Sequence, residues 1–322
     1  YIGQSGVDAA EFFEPAWRRV QWRGRQWGMP HVLDVNFALV WNKTLFLEAG
    51  LDPEAGPETI ADLDATAQRL TRYRSDGSLA QLGIAPWTVY GDTNTILTWS
   101  WAFGGSFFDP GQNRVTAAHD NNVRALEWLR DYYERYAALW SAAVASAVQS
   151  GTAFSNGVVA MQLAHSTEVE IIRRAKPDIE LGFGFTPYDP EQTLPNPSWL
   201  GGYDLAIPAG APHPDAAWEF IRFITADPEG VTISAGITGA FPGLRTAPVY
   251  DDFRRDSQIS PYFNILETAR HVRPIEAAWD VYNAELGRAV QLVYAGEAQP
   301  RVALARVQAI VQAELDRLDS GE

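Results

Sequence analysis

Cysteine is absent from this chain of 322 residues. Its absence excludes disulfides, thiolate nucleophiles and cysteine-ligated metal centres, although it does not fix the compartment in which the protein works. Lysine is nearly absent as well, since only Lys43 and Lys176 are lysines among 25 basic residues. So strong a preference for arginine is typical of a genome rich in G and C, and it indicates no particular function.

Long apolar runs and an excess of basic charge are also missing. No apolar run approaches the roughly 20 residues that a membrane-spanning helix needs. The 40 acidic residues outnumber the 25 basic ones, and the formal net charge is −15. Such a charge repels nucleic acid and anionic lipid headgroups, so we expect no nucleic-acid partner.

The motifs of well-known catalytic sites are missing too. The sequence has no Gly-x-Ser-x-Gly, no His-Glu-x-x-His, no P-loop and no Gly-x-Gly-x-x-Gly after a strand. The 5 histidines are scattered, so we predict no metal site and no catalytic residue. Carboxylate pairs arise by chance among 40 acidic residues, and a glycoside hydrolase using paired carboxylates therefore stays open as an alternative.

The pattern of apolar residues predicts an α/β protein. An apolar run at 37–41 predicts a buried strand. Spacings of three and four residues predict two amphipathic helices, one that carries the stripe Ile60, Leu63, Ala67 and Leu70 and is ended by Ser75-Asp76-Gly77, and one at 214–226. The stretch 186–202 is rich in proline and has little periodicity, which predicts a loop followed by a short strand at 204–208.

Seven short segments, in order along the chain, follow the pattern of one family. They read WGMP at 27–30, LVWNK at 39–43, LFLEAGLD at 45–52, FSNGVVAM at 154–161, GGYDLAIP at 201–208, HPDAAWEFI at 213–221 and TGAFPGLR at 238–245. Each segment alone is weak, but their order and spacing over essentially the whole chain make the set specific. On these residues the chain resembles the extracellular solute-binding proteins of bacterial ABC importers, family 1, the sugar-binding, maltose-binding-protein-like type.

The resemblance implies a periplasmic-binding-protein-like fold of type II, with two α/β lobes joined by hinge crossover strands. Residues 1–35 with 203–263 are expected to form the N-lobe, and residues 36–202 with 264–322 the C-lobe. Chains of this family normally begin with a signal peptide and several further strand–helix units. The N-lobe is therefore expected to be incomplete, by roughly a hundred residues.

The resemblance also implies a function. A sugar or oligosaccharide would be captured in the interlobe cleft and delivered to the transmembrane permease subunits, with no enzymatic activity and no cofactor. We expect a monomer, extracellular or periplasmic, which is membrane-anchored as a lipoprotein in the full-length form. A polyol or glycerophosphodiester stays open as the ligand, and a purely structural surface protein would bind none of these.

Sugars are held by aromatic faces that stack on C–H patches and by polar side chains that pair with hydroxyls. Trp87, Tyr90, Asp92 and Asn94 follow a predicted strand and precede a helix, where the resemblance places C-lobe ligand contacts. The alternative is a helix cap beside one core tryptophan. His165 follows a later strand, on a loop that the resemblance places at the cleft, or it is structural.

The remaining candidates lie at or after the crossovers and are Asp34, Asn36, Trp199, Gly201, Gly202, Tyr203, Arg245 and Trp279. Asp34 and Asn36 flank the first hinge, or form the wet face of a strand. Trp199 is either a stacking platform or a plug over the core. Arg245 pairs with a hydroxyl or carboxylate, or is an anchor, and Trp279 faces the sugar or packs between helices.

Overall fold

The computed structural model describes residues 1–147, 152–256, 259–274 and 277–320. The helices in these ranges are α1 (Glu14–Arg19), α2 (Lys43–Glu48), α3 (Ile60–Leu70), α4 (Asp92–Ala102), α5 (Asp120–Ala147), α6 (Ser166–Ala175), α7 (Pro214–Ala226), α8 (Pro228–Thr238), α9 (Val249–Arg255), α10 (Ser260–Thr268), α11 (Trp279–Tyr294) and α12 (Pro300–Ser320). The strands are β1 (Gln21–Trp22), β2 (Arg25–Gln26), β3 (Met29–Asn36), β4 (Ala38–Asn42), β5 (Arg72–Tyr73), β6 (Leu79–Ile84), β7 (Phe108–Asp109), β8 (Arg114–Val115), β9 (Val159–Ala164), β10 (Leu181–Phe185), β11 (Trp199–Leu205) and β12 (Phe241–Pro242).

The chain divides into two compact units. The smaller unit comprises Tyr1–Asn36 and Trp199–Ile275, and the larger comprises Phe37–Ser198 and Glu276–Glu322. Each unit therefore contains two separated stretches of the chain. The assignment of the units to an N-lobe and a C-lobe stays a prediction.

The larger unit is built on a mixed sheet with the strand order β10-β4-β9-β6-β5. β4 pairs antiparallel with both β10 and β9, and β9 pairs parallel with β6. Every residue of β4 is buried, which confirms the buried strand predicted from the apolar run. Trp99 of α4 is fully buried and donates its indole N–H to the carbonyl of Pro86 at 2.9 Å, so its one polar group is satisfied.

The smaller unit is built on an antiparallel sheet with the strand order β11-β3-β12. β11 pairs with β3 along its whole length, from Trp199 opposite Asn36 to Leu205 opposite Met29. Helix α7 packs against β3 and has the bounds predicted from its periodicity. The helix predicted from the stripe Ile60 to Leu70 is confirmed as α3, and the reciprocal capping box of Thr59 with Asp62 fixes its first turn. It ends at Leu70 rather than at residues 75–77, because Arg72 and Tyr73 pair with β6 as strand β5.

The predicted loop at 186–202 and strand at 204–208 are wrong in their bounds. The strand is Trp199–Leu205, because these residues pair with β3, which is more than 160 residues away in sequence. Local composition carries no trace of such pairing. The loop prediction came from the proline-rich residues, and these end at Pro197, before the strand begins.

The bounds of the two units also differ from those expected for the lobes. The chain leaves the larger unit after Ser198 rather than after residue 202, because Trp199 and Leu200 belong to the ladder with β3. It stays in the smaller unit through Ile275 rather than residue 263.

None of the helices in the described part of the chain combines the length and hydropathy needed to cross a bilayer.

The position of the Trp41 ring requires glycine at position 182 in the larger unit. Gly182 of β10 lies opposite Trp41 of β4, and a Cβ at Gly182 would lie 2.0 Å from the indole ring. At Gly184, two residues further along the strand, the nearest atom would lie 3.4 Å away. The Trp41 indole N–H donates to the carbonyl of Pro53 at 2.9 Å, which holds the ring in place.

We therefore expect Gly182→Ala to lower the free energy of unfolding by about 1–3 kcal/mol, because the added methyl forces the ring or the strand to shift. Gly184→Ala is the matched control, and it should change this free energy by less than about 0.5 kcal/mol. Urea unfolding followed by tryptophan fluorescence measures both variants. Equal effects of the two substitutions would show that the contact with Trp41 does not set the requirement.

Candidate ligand-binding site

Tyr90 is an exposed aromatic residue held in an unusual backbone conformation. It lies in the turn between β6 and α4, with φ of +41° followed by +85° at Gly91. The side-chain amide of Asn94 donates to the carbonyl of Tyr90 at 2.8 Å and so fixes this turn. The Tyr90 side chain is 68% exposed. A non-glycine residue with positive φ costs free energy, and such conformations concentrate at functional sites.

His165 lies against Tyr90 although 75 positions separate them in the sequence. The two ring centroids are 5.3 Å apart with the planes at 70°, an edge-to-face contact. The imidazole also packs against Phe37, with centroids 5.4 Å apart. The ring Nδ1 lies 3.0 Å from the hydroxyl of Thr167, and the backbone N–H of His165 donates to the carboxylate of Glu168 at 2.9 Å. The structure thus brings the side chains of Tyr90 and His165 together, with Asn94 hydrogen-bonded to the backbone of Tyr90.

Two residues of this cluster were not among the predicted candidates. Phe37 packs against His165 and is only 1% exposed, and the sequence pattern placed it in a buried strand. Thr167 orients the imidazole, and only its position in the first turn after His165 could have suggested this.

The other candidates of the larger unit make packing contacts. Trp87 is half-buried and meets Tyr133 and Trp140 edge-on, at 5.8 and 6.4 Å between centroids. The carboxylate of Asp92 accepts a hydrogen bond from Gln291 at 3.0 Å. Trp279 is half-buried at the start of α11 and packs on Tyr282. These contacts account for Trp87, Asp92 and Trp279 without a ligand, and a ligand role for them stays a prediction.

In the smaller unit, Asp34 and Asn36 lie beside a stretch of strand without side chains. Gly201 pairs with Asp34, and a Cβ on Gly201 would lie 2.8 Å from the amide nitrogen of Asn36. Gly202 has φ of +117°, and a Cβ there would lie 1.9 Å from the carbonyl oxygen of Val32. Only glycine fits at position 202, whereas a side chain at position 201 would displace the amide of Asn36. Beside this backbone Asp34 is half-exposed and Asn36 is buried.

An ion pair fixes the strand just beyond these glycines. The guanidinium of Arg19 donates to both carboxylate oxygens of Asp204, at 3.0 and 2.5 Å, and also to the carbonyl of Gly201. The two side chains are only 11% and 25% exposed. Tyr203, which lies between Gly202 and Asp204 in the strand, has 72% of its surface exposed.

Trp199 and Arg245 lie in other surroundings. The Trp199 ring is 1% exposed and the guanidinium of Arg273 covers it at 4.8 Å from the centroid, so no ring face is open to a ligand. This is the geometry of a core plug, one of the two alternatives that the sequence left open. Arg245 is exposed, and it lines a groove with α1 and α10 rather than contacting Asp34 or Asn36.

His271 pairs with the strand that carries Trp199. The backbone N–H of Leu200 donates to the carbonyl of His271 at 2.9 Å. Burial lowers the pKa of the imidazole to about 4, and the positive charges of Arg18 and Arg270 lower it further. No group of three or more histidine, aspartate or glutamate side chains in the described residues is arranged to hold a metal ion.

Two α/β units, each made of separated chain segments and joined by repeated crossings, define the class of type II periplasmic binding proteins. The expected fold class is thereby confirmed. The chain belongs to the family of bacterial extracellular solute-binding proteins, whose family model matches residues 3–231. This confirms the family indicated by the seven sequence segments.

Known relatives agree with this assignment. The chain is 24% identical over 237 residues to the probable amino-acid ABC transporter periplasmic-binding protein y4oP of Sinorhizobium fredii (strain NBRC 101917 / NGR234). The match covers 68% of this chain and 48% of that protein, so the chain spans about half the length of this curated relative.

Solved structures show the same fold over nearly the whole chain. CpMnBP1 with mannobiose bound is 27% identical, with a TM-score of 0.80 over 95% of this chain and 76% of that one. The complex of CpMnBP1 with mannotriose is also 27% identical, with a TM-score of 0.80 over 96% and 79%. The cyclic alpha-maltosyl-1,6-maltose binding protein of Arthrobacter globiformis, at 23% identity and a TM-score of 0.72 over 98% and 79%, shows the fold.

The lowered pKa of His271 predicts a loss of stability in mild acid. Above pH 6.5 the imidazole is neutral in both states, whereas between pH 6.5 and 4 the unfolded chain binds a proton that the folded chain does not. The free energy of unfolding should therefore fall by up to about 3 kcal/mol over this range. His271→Gln should remove this component, whereas His213→Gln, an exposed histidine of the same unit, should not. Identical pH profiles for the wild type and His271→Gln, measured by urea unfolding, would contradict the assignment.

Proposed function

We propose that this chain is the sugar-binding component of an ABC importer and that the face formed by Tyr90, Asn94 and His165 contacts the sugar. The observation that carries the proposal is the exposed ring of Tyr90, held edge-on against His165 in a strained turn. An aromatic ring fixed before the ligand arrives loses little conformational freedom on binding. It offers its face to the C–H patches of a pyranose.

Polar groups around this ring supply the second requirement of sugar recognition. The imidazole of His165 and the side-chain amide of Asn94 can both donate and accept hydrogen bonds, as hydroxyls do. The Thr167 hydroxyl, 3.0 Å from Nδ1 of His165, orients the imidazole. On the smaller unit, the carboxylate of Asp34 can accept hydrogen bonds from hydroxyls, and the buried amide of Asn36 lies next to it beside the bare backbone of Gly201. We include these three residues in the proposal.

Charge favours a neutral ligand over an amino acid. The carboxylate and ammonium of an amino acid each need an ionic partner when they leave water. The described contacts of Tyr90 and His165 are with aromatic rings, a hydroxyl, an amide and a helix-capping carboxylate, and they include no lysine or arginine. We therefore infer a neutral sugar as the ligand. The CpMnBP1 complexes with mannobiose and mannotriose support a short mannose oligosaccharide.

The remaining parts of the proposal follow the family. The protein would act as a monomer outside the cytoplasmic membrane, anchored there in its full-length form, and would pass its ligand to the permease subunits of the importer. It would bind the sugar without chemical change. The extracellular character of the family and the periplasmic name of the curated relative support this location.

Binding of mannobiose tests the proposal directly. At a ligand concentration of 100 times Kd, the folded state should gain about 2.7 kcal/mol, visible as a raised melting temperature. Tyr90→Ala should weaken binding by about tenfold because the stacking face is lost. Tyr73→Ala is the matched control, since Tyr73 is also exposed, at 53%, on the same unit but away from this face. Isothermal titration calorimetry gives the two affinities.

Three other outcomes would overturn parts of the proposal. Stabilisation by an amino acid, a polyol or a glycerophosphodiester in place of any sugar would change the ligand class. Turnover of a chromogenic mannoside would make the protein a hydrolase. Equal loss of affinity in Tyr90→Ala and Tyr73→Ala would remove the face around Tyr90 from the binding site.

A further inference from the structure

A large groove lies within the smaller unit, away from the residues proposed to contact sugar. It has a volume of about 940 Å³ and lies between α1, the segment after β12, α9 and α10. Its charged lining residues are Arg18, Arg245, Arg254, Arg270, Glu14 and Glu267. We call this the arginine groove. Neither Asp34 nor Gly201 lines it.

The charge of the arginine groove is opposite to that of the chain. Its four guanidinium groups face the carboxylates of Glu14 and Glu267, and Asp251 beside the groove also pairs with Arg254, which leaves an excess of one positive charge in a protein of net charge −15. The rest of this acidic chain repels anions, whereas the four arginines around the groove create a local positive field that attracts them. The lowered pKa of His271, to which Arg18 and Arg270 both contribute, reports the same positive field.

The ion pairs made by the groove arginines are weak enough to exchange for a ligand. Arg18 lies 3.6 Å from Glu14, and Arg254 lies 4.0 Å from Glu267 and 3.3 Å from Asp251. Both arginine side chains are 48% exposed, and exposed pairs of this kind contribute little to stability.

Arg245 and Arg270 are free to meet an anion from solvent. Among the residues that the structure describes, no carboxylate lies within ion-pair distance of either guanidinium. Both side chains are exposed at the groove.

Two of the arginines are also held in position. The guanidinium of Arg254 lies 4.3 Å above the ring of Phe263, which fixes its plane. Arg18 donates to the backbone carbonyl of Arg270 at 2.9 Å, which ties α1 to the segment after α10. Planar guanidinium groups in fixed positions bind oxyanions through paired N–H donors.

We propose that the arginine groove is a second binding site, for a small soluble polyanion that carries two or more phosphate-type groups. Four guanidiniums spread around one groove suit several linked oxyanions better than a single one. The volume of about 940 Å³ is within the range of small-molecule pockets and exceeds what one phosphate fills.

Calorimetric titration with sodium pyrophosphate, at an ionic strength held constant with sodium chloride, tests this site. We expect saturable binding of one pyrophosphate per chain. Arg245→Gln and Arg270→Gln should each weaken it about fivefold or more, because each removes a charge-assisted hydrogen-bond donor. Circular dichroism and the melting temperature verify that both variants fold.

Arg255→Gln is the matched control. Arg255 follows Arg254 on α9, its side chain is 75% exposed, and it pairs with Asp252 at 3.2 Å outside the groove lining. It should leave the affinity unchanged. Absence of saturable binding in the wild type, or equal weakening by the control, would overturn the proposal, since the latter marks general screening. Competition between mannobiose and pyrophosphate would also overturn it, because it would place the anion at the sugar site.

Discussion

The backbone carbonyl of Phe37 is the point on which the larger unit and its candidate site depend. It accepts hydrogen bonds from the hydroxyls of Thr186 and Ser198, at 3.0 and 3.2 Å, and both side chains are fully buried. Losing either bond would leave a buried polar group without a hydrogen-bond partner, at a cost of about 1–3 kcal/mol. The two bonds connect Phe37, the first residue of the larger unit, to Thr186 just after β10 and to Ser198 at the end of the unit's first stretch of chain. The Phe37 ring supports His165, and His165 in turn meets Tyr90.

The two units prepare their candidate contacts by opposite means. In the larger unit a strained turn holds out the ring of Tyr90, and Asn94 stabilises that turn. In the smaller unit the backbone at Gly201 and Gly202 carries no side chain, so space remains beside Asp34. A fixed aromatic face and an open polar strand are both forms of preorganisation, because neither needs to be ordered when a ligand binds.

Fold alone does not choose the ligand, as the relatives of this chain show. The curated relative is named for amino acids, whereas CpMnBP1 was solved with mannose oligosaccharides. The side chains decide between such ligands. Around Tyr90 and His165 the described contacts are aromatic and hydrogen-bonding, whereas four arginines line a separate groove, the arginine groove. Neutral and anionic ligands would therefore be recognised at different places on this chain.

The sequence by itself determined the family, the fold class and the elements with strong local periodicity, such as β4, α3 and α7. Periodicity is a property of a few neighbouring residues, so it can be recognised without knowing which distant segment they pack against. Only the tertiary structure decided the start of β11, the burial of Trp199 and the meeting of Tyr90 with His165. Each of these depends on pairing between residues far apart in the chain. An aromatic side chain has the same composition whether it plugs a core or faces a ligand, and its distant neighbours alone make the difference.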